Sequence, residues 1–228
     1  MNPVSQKQNI YFGSLNNPVK PFVIKTTKGT LHFREYDYTK RTKNKFWEKL
    51  MGFFNDNFAN TTSDPAWKDY NSPTFDKKSF NKEDAQNYMK LSDNPDATIL
   101  VGRNRWRKIV AGIIAKPLDA KPVIEDNKTL YVDSIAIDPQ YRGNKVGENL
   151  LNKTIESMGN RYSDCFLASY NESLSFYKKQ GFRTLENTNP QEGKAIKKLS
   201  EWRNDNPHFV TFVTKPIDKS QLRWYDRI

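Results

Sequence analysis

The chain has 228 residues, 36 % of them hydrophobic and 13 % aromatic, so it is long enough to bury a core and too rich in aromatics for a disordered chain. Lys and Arg number 37 against 26 Asp and Glu, and the net charge of +11 favours acidic partners: nucleic acid, anionic cofactors, acidic proteins or anionic membrane. The longest apolar run, Ile109 to Ala115, is far short of the ~20 residues of a membrane helix, so no membrane span is expected. Met1 to Lys7 leads into no apolar stretch of a secretory signal, and Asn2 excludes N-myristoylation by the usual motif. Cys165 is the only cysteine, which leaves no internal disulfide and fits a cytoplasmic location. One Cys with the two distant histidines His32 and His208 makes no recognisable zinc site, and no metal is expected.

In chain order, Asn16-Asn17-Pro18 and Lys20-Pro21 read as turns, and Phe22 to Lys25 and Thr30 to Tyr36 as a hairpin through Thr27-Lys28-Gly29. Phe46, Trp47, Leu50, Phe53, Phe54 and Phe58 recur at helical spacing and predict one apolar helix face. Asn60 to Pro73 is polar, with two prolines, and reads as a loop; Asn81 is the expected cap of a helix over Lys82 to Leu91. Strands are predicted over Thr98 to Arg103, about Arg107 to Lys116, and Thr129 to Asp138, with a loop over Asp119 to Lys128. Val146, Leu150, Leu151, Thr154, Ile155 and Met158 define the helix that follows. Beyond it come a strand over Cys165 to Ala168, a helix over Glu172 to Gln180 closed by Gly181, and a strand over Phe182 to Leu185. Asn187 to Pro207 reads as a long polar loop, and Phe209 to Lys215 as the last strand. Alternating strands and helices in the second half argue mixed α/β around one sheet.

The richest segment is Ile135-Ala136-Ile137-Asp138-Pro139-Gln140-Tyr141-Arg142-Gly143-Asn144-Lys145-Val146-Gly147-Glu148: a strand, a tight turn with two glycines, and a helix start. The first amides of a helix lack intrahelical partners, and the helix dipole makes that spot positive, so such a turn binds phosphate. Gly143 and Gly147 let the backbone approach an anion, while Arg142 and Lys145 add charge. The alternative is an ordinary strand-to-helix turn. Neither a nucleotide P-loop nor a Rossmann fingerprint is present.

This segment resembles motif A of the GNAT acetyltransferase superfamily, Arg/Gln-x-x-Gly-x-Gly/Ala, with Arg142 first and Gly147 last. Lys145 stands where the middle glycine normally sits, a departure from the pattern. Asn171-Glu172-Ser173-Leu174-Ser175-Phe176-Tyr177-Lys178-Lys179-Gln180-Gly181-Phe182 resembles motif B, with Leu174 in place of the usual alanine. The resemblance covers about residues 98 to 186. It implies a GNAT fold: a mixed, twisted sheet of six to seven strands, helices on both faces, splayed between strands 129–137 and 165–168. A GNAT domain over 29–216 would then follow an N-terminal extension, 1–28, and precede a tail, 217–228.

By the same resemblance, acetyl-CoA or a related acyl-CoA is the co-substrate. The backbone of Ile135, Ala136 and Ile137 would pair with the pantetheine arm, Asn171 would help position it, and the amides of Gly143, Asn144, Lys145, Val146 and Gly147 would hold the pyrophosphate. Lys145 has two readings: its ammonium contacts a phosphate, or its Cβ crowds the turn. Tyr177 matches the family's usual general acid, against the reading of a packing tyrosine. Asp133, two residues before Ile135, resembles the carboxylate that serves some members as base, against that of a solvated or salt-bridged strand residue. An amide near Ala136 and Ile137 would stabilise the oxyanion. Glu148 reads as a dipole partner and Cys165 as a small buried residue.

The acceptor is expected between the first helices and the far end of the sheet, by analogy among Phe46 to Tyr70, Trp106, Tyr131 and Tyr170. A primary amine of a small molecule or protein is the first reading. The positive surplus, including Lys40 to Lys49 and Arg103, Arg105, Arg107 and Lys108 around one hairpin turn, keeps a nucleic-acid acceptor as the alternative. Lys145 also leaves room for a non-enzymatic binding module. No established nucleic-acid-binding motif is present.

Overall fold

The computed structural model describes residues 19–36, 44–91, 97–118, 129–159, 161–204 and 208–221. The loop expected over Asp119 to Lys128, the basic residues Lys40, Arg41 and Lys43, and the chain ends lie outside them. The strands are β1 (Phe22–Thr26), β2 (Gly29–Glu35), β3 (Thr98–Arg103), β4 (Ile109–Pro117), β5 (Thr129–Ile137), β6 (Asp164–Tyr170), β7 (Arg183–Thr184) and β8 (Val210–Pro216). The helices are α1 (Asn44–Ala59), α2 (Lys77–Leu91), α3 (Val146–Met158), α4 (Leu174–Lys179) and α5 (Pro190–Arg203).

One mixed sheet runs β1-β2-β3-β4-β5-β6-β8-β7. It has eight strands where six to seven were expected. The hairpin strand β1 joins it through five pairs with β2, reinforced by Phe22 stacked on Phe33 at 4.7 Å, and the two-residue β7 pairs with β8. All pairings are antiparallel except β5 with β6. That parallel pair spans only Thr129–Tyr131 against Asp164–Phe166, while β6 pairs with β8 along its whole length. The two strands therefore part after Tyr131, as the fold reading expected.

Both faces of the sheet centre are covered. On one face Leu100, Val110, Ala111, Ile113 and Ala115 pack against Val146, Leu150, Leu151 and Ile155 of α3. On the other, Ile99, Val101, Ile109 and Ile114 meet Trp47, Leu50, Met51 and Phe54 of α1. A strand buried on both faces needs no polar alternation, which explains the unbroken apolar run of β4. Gly112 permits the close approach of α1: a Cβ there would lie 3.2 Å from Phe54 Cζ. Burying each such Leu or Phe side chain contributes about 1.5–3 kcal/mol.

Two expected elements differ. The stretch 187–207, read as a loop, contains the helix α5. Asn189 Oδ1 accepts from the amides of Gln191 and Glu192, Pro190 takes the first helical position, and Asn204 closes the helix at φ +55°. Its apolar stripe is narrow: Leu199 is fully buried against Tyr131, Phe166 and Phe212, with Ile196 partly buried beside it. So narrow a stripe gives little helical period to read. Helix α2 begins at Lys77, not Lys82, because Asp76 Oδ1 accepts from the amides of Lys78 and Ser79. Asn81 lies inside the helix, and its Oδ1 accepts from Asn55 Nδ2 at 2.8 Å, tying α2 to α1. The polar stretch 60–73 holds two short 3-10 turns, Pro65–Trp67 and Asp69–Asn71. Among the described residues no helix is long and apolar enough to cross a membrane.

Candidate active site

The parted strands open a cavity of about 790 Å³, lined by Val132–Ile137 on one side and Leu167–Tyr170 on the other. The start of α3 forms its positive end. Gly143 and Lys145 both have positive φ, +76° and +56°, so the turn winds back before the helix begins. No side chain caps α3, which leaves its first amides without partners from a cap. Positive φ at residue 145 is the physical reason a glycine suits this position. A lysine there costs about 1 kcal/mol in a left-handed conformation. Lys145→Gly is therefore expected to raise Tm by about 3 °C in a thermal melt. The same variant tests whether the ammonium holds an anion: acetyl-CoA affinity falls several-fold if it does, and is kept or improved if the Cβ merely crowds the turn.

Gly147 also faces the cavity, where a Cβ would meet Phe176 Cζ at 3.4 Å and Ile137 Cγ1 at 3.6 Å. Arg142 lines the cavity as well. Its Nε donates to the Ile137 carbonyl at 3.0 Å and its Nη2 to Asn57 Oδ1 at 3.4 Å, so it ties the end of β5 to α1. Burial draws the guanidinium below its ordinary range.

Asp133 sits at an irregularity in β5. Ala115 pairs with Val132 and Ile114 with Ser134, so Asp133 is the extra residue of a bulge. Bulges re-aim side chains beside active sites, and Asp133 lines the cavity. Its Oδ2 accepts from Tyr88 Oη at 2.6 Å and Ser134 Oγ at 3.0 Å, and its Oδ1 meets Lys116 Nζ at 3.4 Å. Burial, then the Asp133 charge, pushes the Tyr88 hydroxyl well above its ordinary value, so Tyr88 stays a proton donor to that carboxylate.

Tyr177 reaches the cavity from α4. It is 7 % exposed, with Phe176 and Phe182 edge-on to its ring. Burial raises its hydroxyl pKa, the neighbouring Cys165 adding to the effect. A phenol in this setting holds its proton at any physiological pH. Cys165 itself is fully buried, and burial pushes its thiol up to about 12, so it offers no thiolate nucleophile.

Ile135, Ala136, Ile137, Arg142, Gly143, Lys145, Val146, Gly147, Asp133 and Tyr177 thus come together around one cavity. Two of the residues read as cofactor-binding do not line it. Asn144 Oδ1 accepts from the Thr27 amide and hydroxyl, tying the turn between β5 and α3 to the first hairpin. Asn171 donates to the His208 carbonyl and accepts from Thr211 Oγ1, fastening the end of β6 to β8. Of the aromatics expected near an acceptor, Phe58, Trp67 and Tyr170 line the cavity. Tyr131 is buried in the core instead, and Trp106 is 66 % exposed at the β3–β4 turn. Tyr88 and Asp84 line the cavity without having been singled out, because their placement depends on how α2 docks. Helical spacing of Phe80, Asp84 and Tyr88 was the available signal.

Residues 59–182, more than half of the chain, match the acetyltransferase (GNAT) family profile. The chain belongs to the GNAT acetyltransferase family. Among solved structures, a GNAT-family acetyltransferase from Staphylococcus aureus Mu50 is 18 % identical, with a TM-score of 0.55 over 82 % of this chain and 99 % of that one. The PaiA N-acetyltransferase of Thermoplasma acidophilum, solved with coenzyme A, is 16 % identical, with a TM-score of 0.51 over 82 % of this chain and 98 % of that one. No curated protein matches the chain by sequence. In this GNAT chain, the uncapped start of α3, the two left-handed turn residues and the parted edge of β5 fit an acyl-CoA: donors for phosphates at one place, an open strand edge at the next. Among the described residues no group of three His, Cys, Asp or Glu could hold a metal.

Proposed function

We propose that the chain is an acetyl-CoA-dependent N-acetyltransferase that modifies a primary amine of a small molecule or protein in a cytoplasmic setting. The carrying observation is the cavity between β5 and β6, which gathers an anion turn, an open strand edge, a protonated phenol and a held carboxylate. The amides from Gly143 to Gly147 hold the pyrophosphate, and the backbone of Ile135 and Ala136 holds the pantetheine arm; the Ile137 carbonyl is already bonded to Arg142. When bound, acetyl-CoA supplies the activated thioester. Asp133, directly or through water, takes the proton from the attacking amine as the nitrogen–carbon bond forms. Tyr177 donates a proton to the sulfur as the carbon–sulfur bond breaks. A free thiol and an amide leave, and solvent exchange restores both side chains. A positioned acid and base each contribute about 10²–10⁴-fold.

Thiol release from acetyl-CoA, followed with a panel of primary amines, tests this reading. Release that requires an amine supports it; no binding of millimolar acetyl-CoA in a calorimetric titration overturns it.

A second reading rests on the β3–β4 turn. Arg105 stacks on the exposed Trp106 at 4.0 Å, beside Arg103, Arg107 and Lys108. Such a pairing suits a base and its phosphate, so a nucleic-acid acceptor remains the alternative substrate class. It requires nucleic-acid binding that weakens steeply with salt.

A further inference from the structure

Helix α2 turns Phe80, Asp84 and Tyr88 toward the cavity, at successive four-residue steps. Tyr88 is committed to Asp133, and Asp133 is paired with Lys116. Asp84 differs. Its Oδ2 accepts from Asn55 Nδ2 at 2.8 Å, and among the described residues no lysine or arginine pairs with it. The charge that acts on it is the like-charged Glu83. Arg142, one of the cations lining the cavity, is bonded to Ile137 and Asn57. Glu172, another carboxylate of the cavity, is taken up by the amide and hydroxyl of Ser63.

An aromatic wall stands beside this carboxylate. Phe80 meets Trp67 edge-on at 6.5 Å, Trp67 lies 5.9 Å from Phe58, and Phe58 lies 6.1 Å from Tyr170. Trp67 Nε1 donates to Tyr170 Oη at 2.9 Å, which fixes the wall in place. Aromatic faces attract cations, most strongly when both are withdrawn from water. A half-buried carboxylate without a cation, set among such faces in an otherwise basic protein, suits a positively charged guest.

We propose that the acceptor is a small amine bearing a second positive charge, held by Asp84 against Phe58, Trp67 and Phe80, with its reacting amine toward Asp133. The proposal rests on the acetyltransferase reading and names the substrate class of the same cavity. The charge that stays on the acceptor supplies the binding; the amine that loses its proton supplies the chemistry.

The matched probes 1-aminobutane and 1,4-diaminobutane differ in the second charge. With purified protein and acetyl-CoA, kcat/KM for the diamine is expected to exceed that for the monoamine at least tenfold. Asp84→Asn should cut that ratio to near one, mainly through KM, while the calorimetric Kd for acetyl-CoA stays within about twofold. The asparagine oxygen still accepts from Asn55, and burial disfavours the carboxylate in the fold, so the variant's Tm should match or exceed that of the parent. A ratio near one in the parent, a ratio unmoved by Asp84→Asn, or transfer confined to neutral amines or nucleic acid overturns the proposal while leaving the acetyltransferase reading intact. Absence of acetyl-CoA binding overturns both.

Discussion

Tyr177→Phe is expected to lower kcat for acetyl transfer about 10²-fold while leaving the Kd for acetyl-CoA and the Tm nearly unchanged. The substitution removes one oxygen and keeps the ring, whose packing against Phe176 and Phe182 holds α4 on the core. Stopped-flow detection of free thiol reads the rate, and calorimetry reads the binding. Burial holds the hydroxyl above its ordinary value, so in the parent it stays protonated well past neutrality. An alkaline fall in rate below pH 10 therefore belongs to another group, and it should persist in Tyr177→Phe at the lower overall rate. Equal rates in the two proteins, or a loss confined to acetyl-CoA affinity, would leave Tyr177 as a packing residue and move the proton donor elsewhere.

Gly147→Asp should abolish acetyl-CoA binding in calorimetry, a loss of at least about 100-fold, or ~2.7 kcal/mol. The effect is electrostatic: the new carboxylate lies at the uncapped start of α3, where the proposed phosphates would sit, while its Cβ makes only ordinary contacts with Phe176 and Ile137. An acidic residue in the first turn favours the helix itself, so far-ultraviolet circular dichroism should show the same helix content as the parent. Retained binding in a folded variant would place the phosphates away from this turn and undo the cofactor assignment.

Asp133 shows what pattern alone could not show. Its number along β5 was legible, but the bulge that aims it, the Tyr88 hydroxyl and the Lys116 ammonium beside it all depend on pairing and docking. Asn144 and Asn171 show the converse. Both stand in the matching motifs, yet one anchors the first hairpin and the other fastens β6 to β8. The helix α5 escaped the reading because its buried face is little more than Leu199 and Ile196, whereas its Asn189-Pro190 start carried a local signal that was available.

Local chemistry sufficed for the elements with strong periods: α1 from its aromatic face, α3 from its six buried positions, and β3 to the residue. It sufficed too for the strand–turn–helix geometry proposed to hold phosphates, since Gly143, Lys145 and the uncapped helix start are neighbours in the chain. The end of the cavity proposed for the acceptor required the folded chain. Phe58, Trp67, Phe80, Asp84, Asp133 and Tyr170 come from α1, a 3-10 turn, α2, β5 and β6, and the strands part where the β5–β6 ladder ends, while β6 stays paired with β8 along its whole length. Short-range pattern reports backbone preference and burial, while a site assembled across five elements is decided by which faces meet.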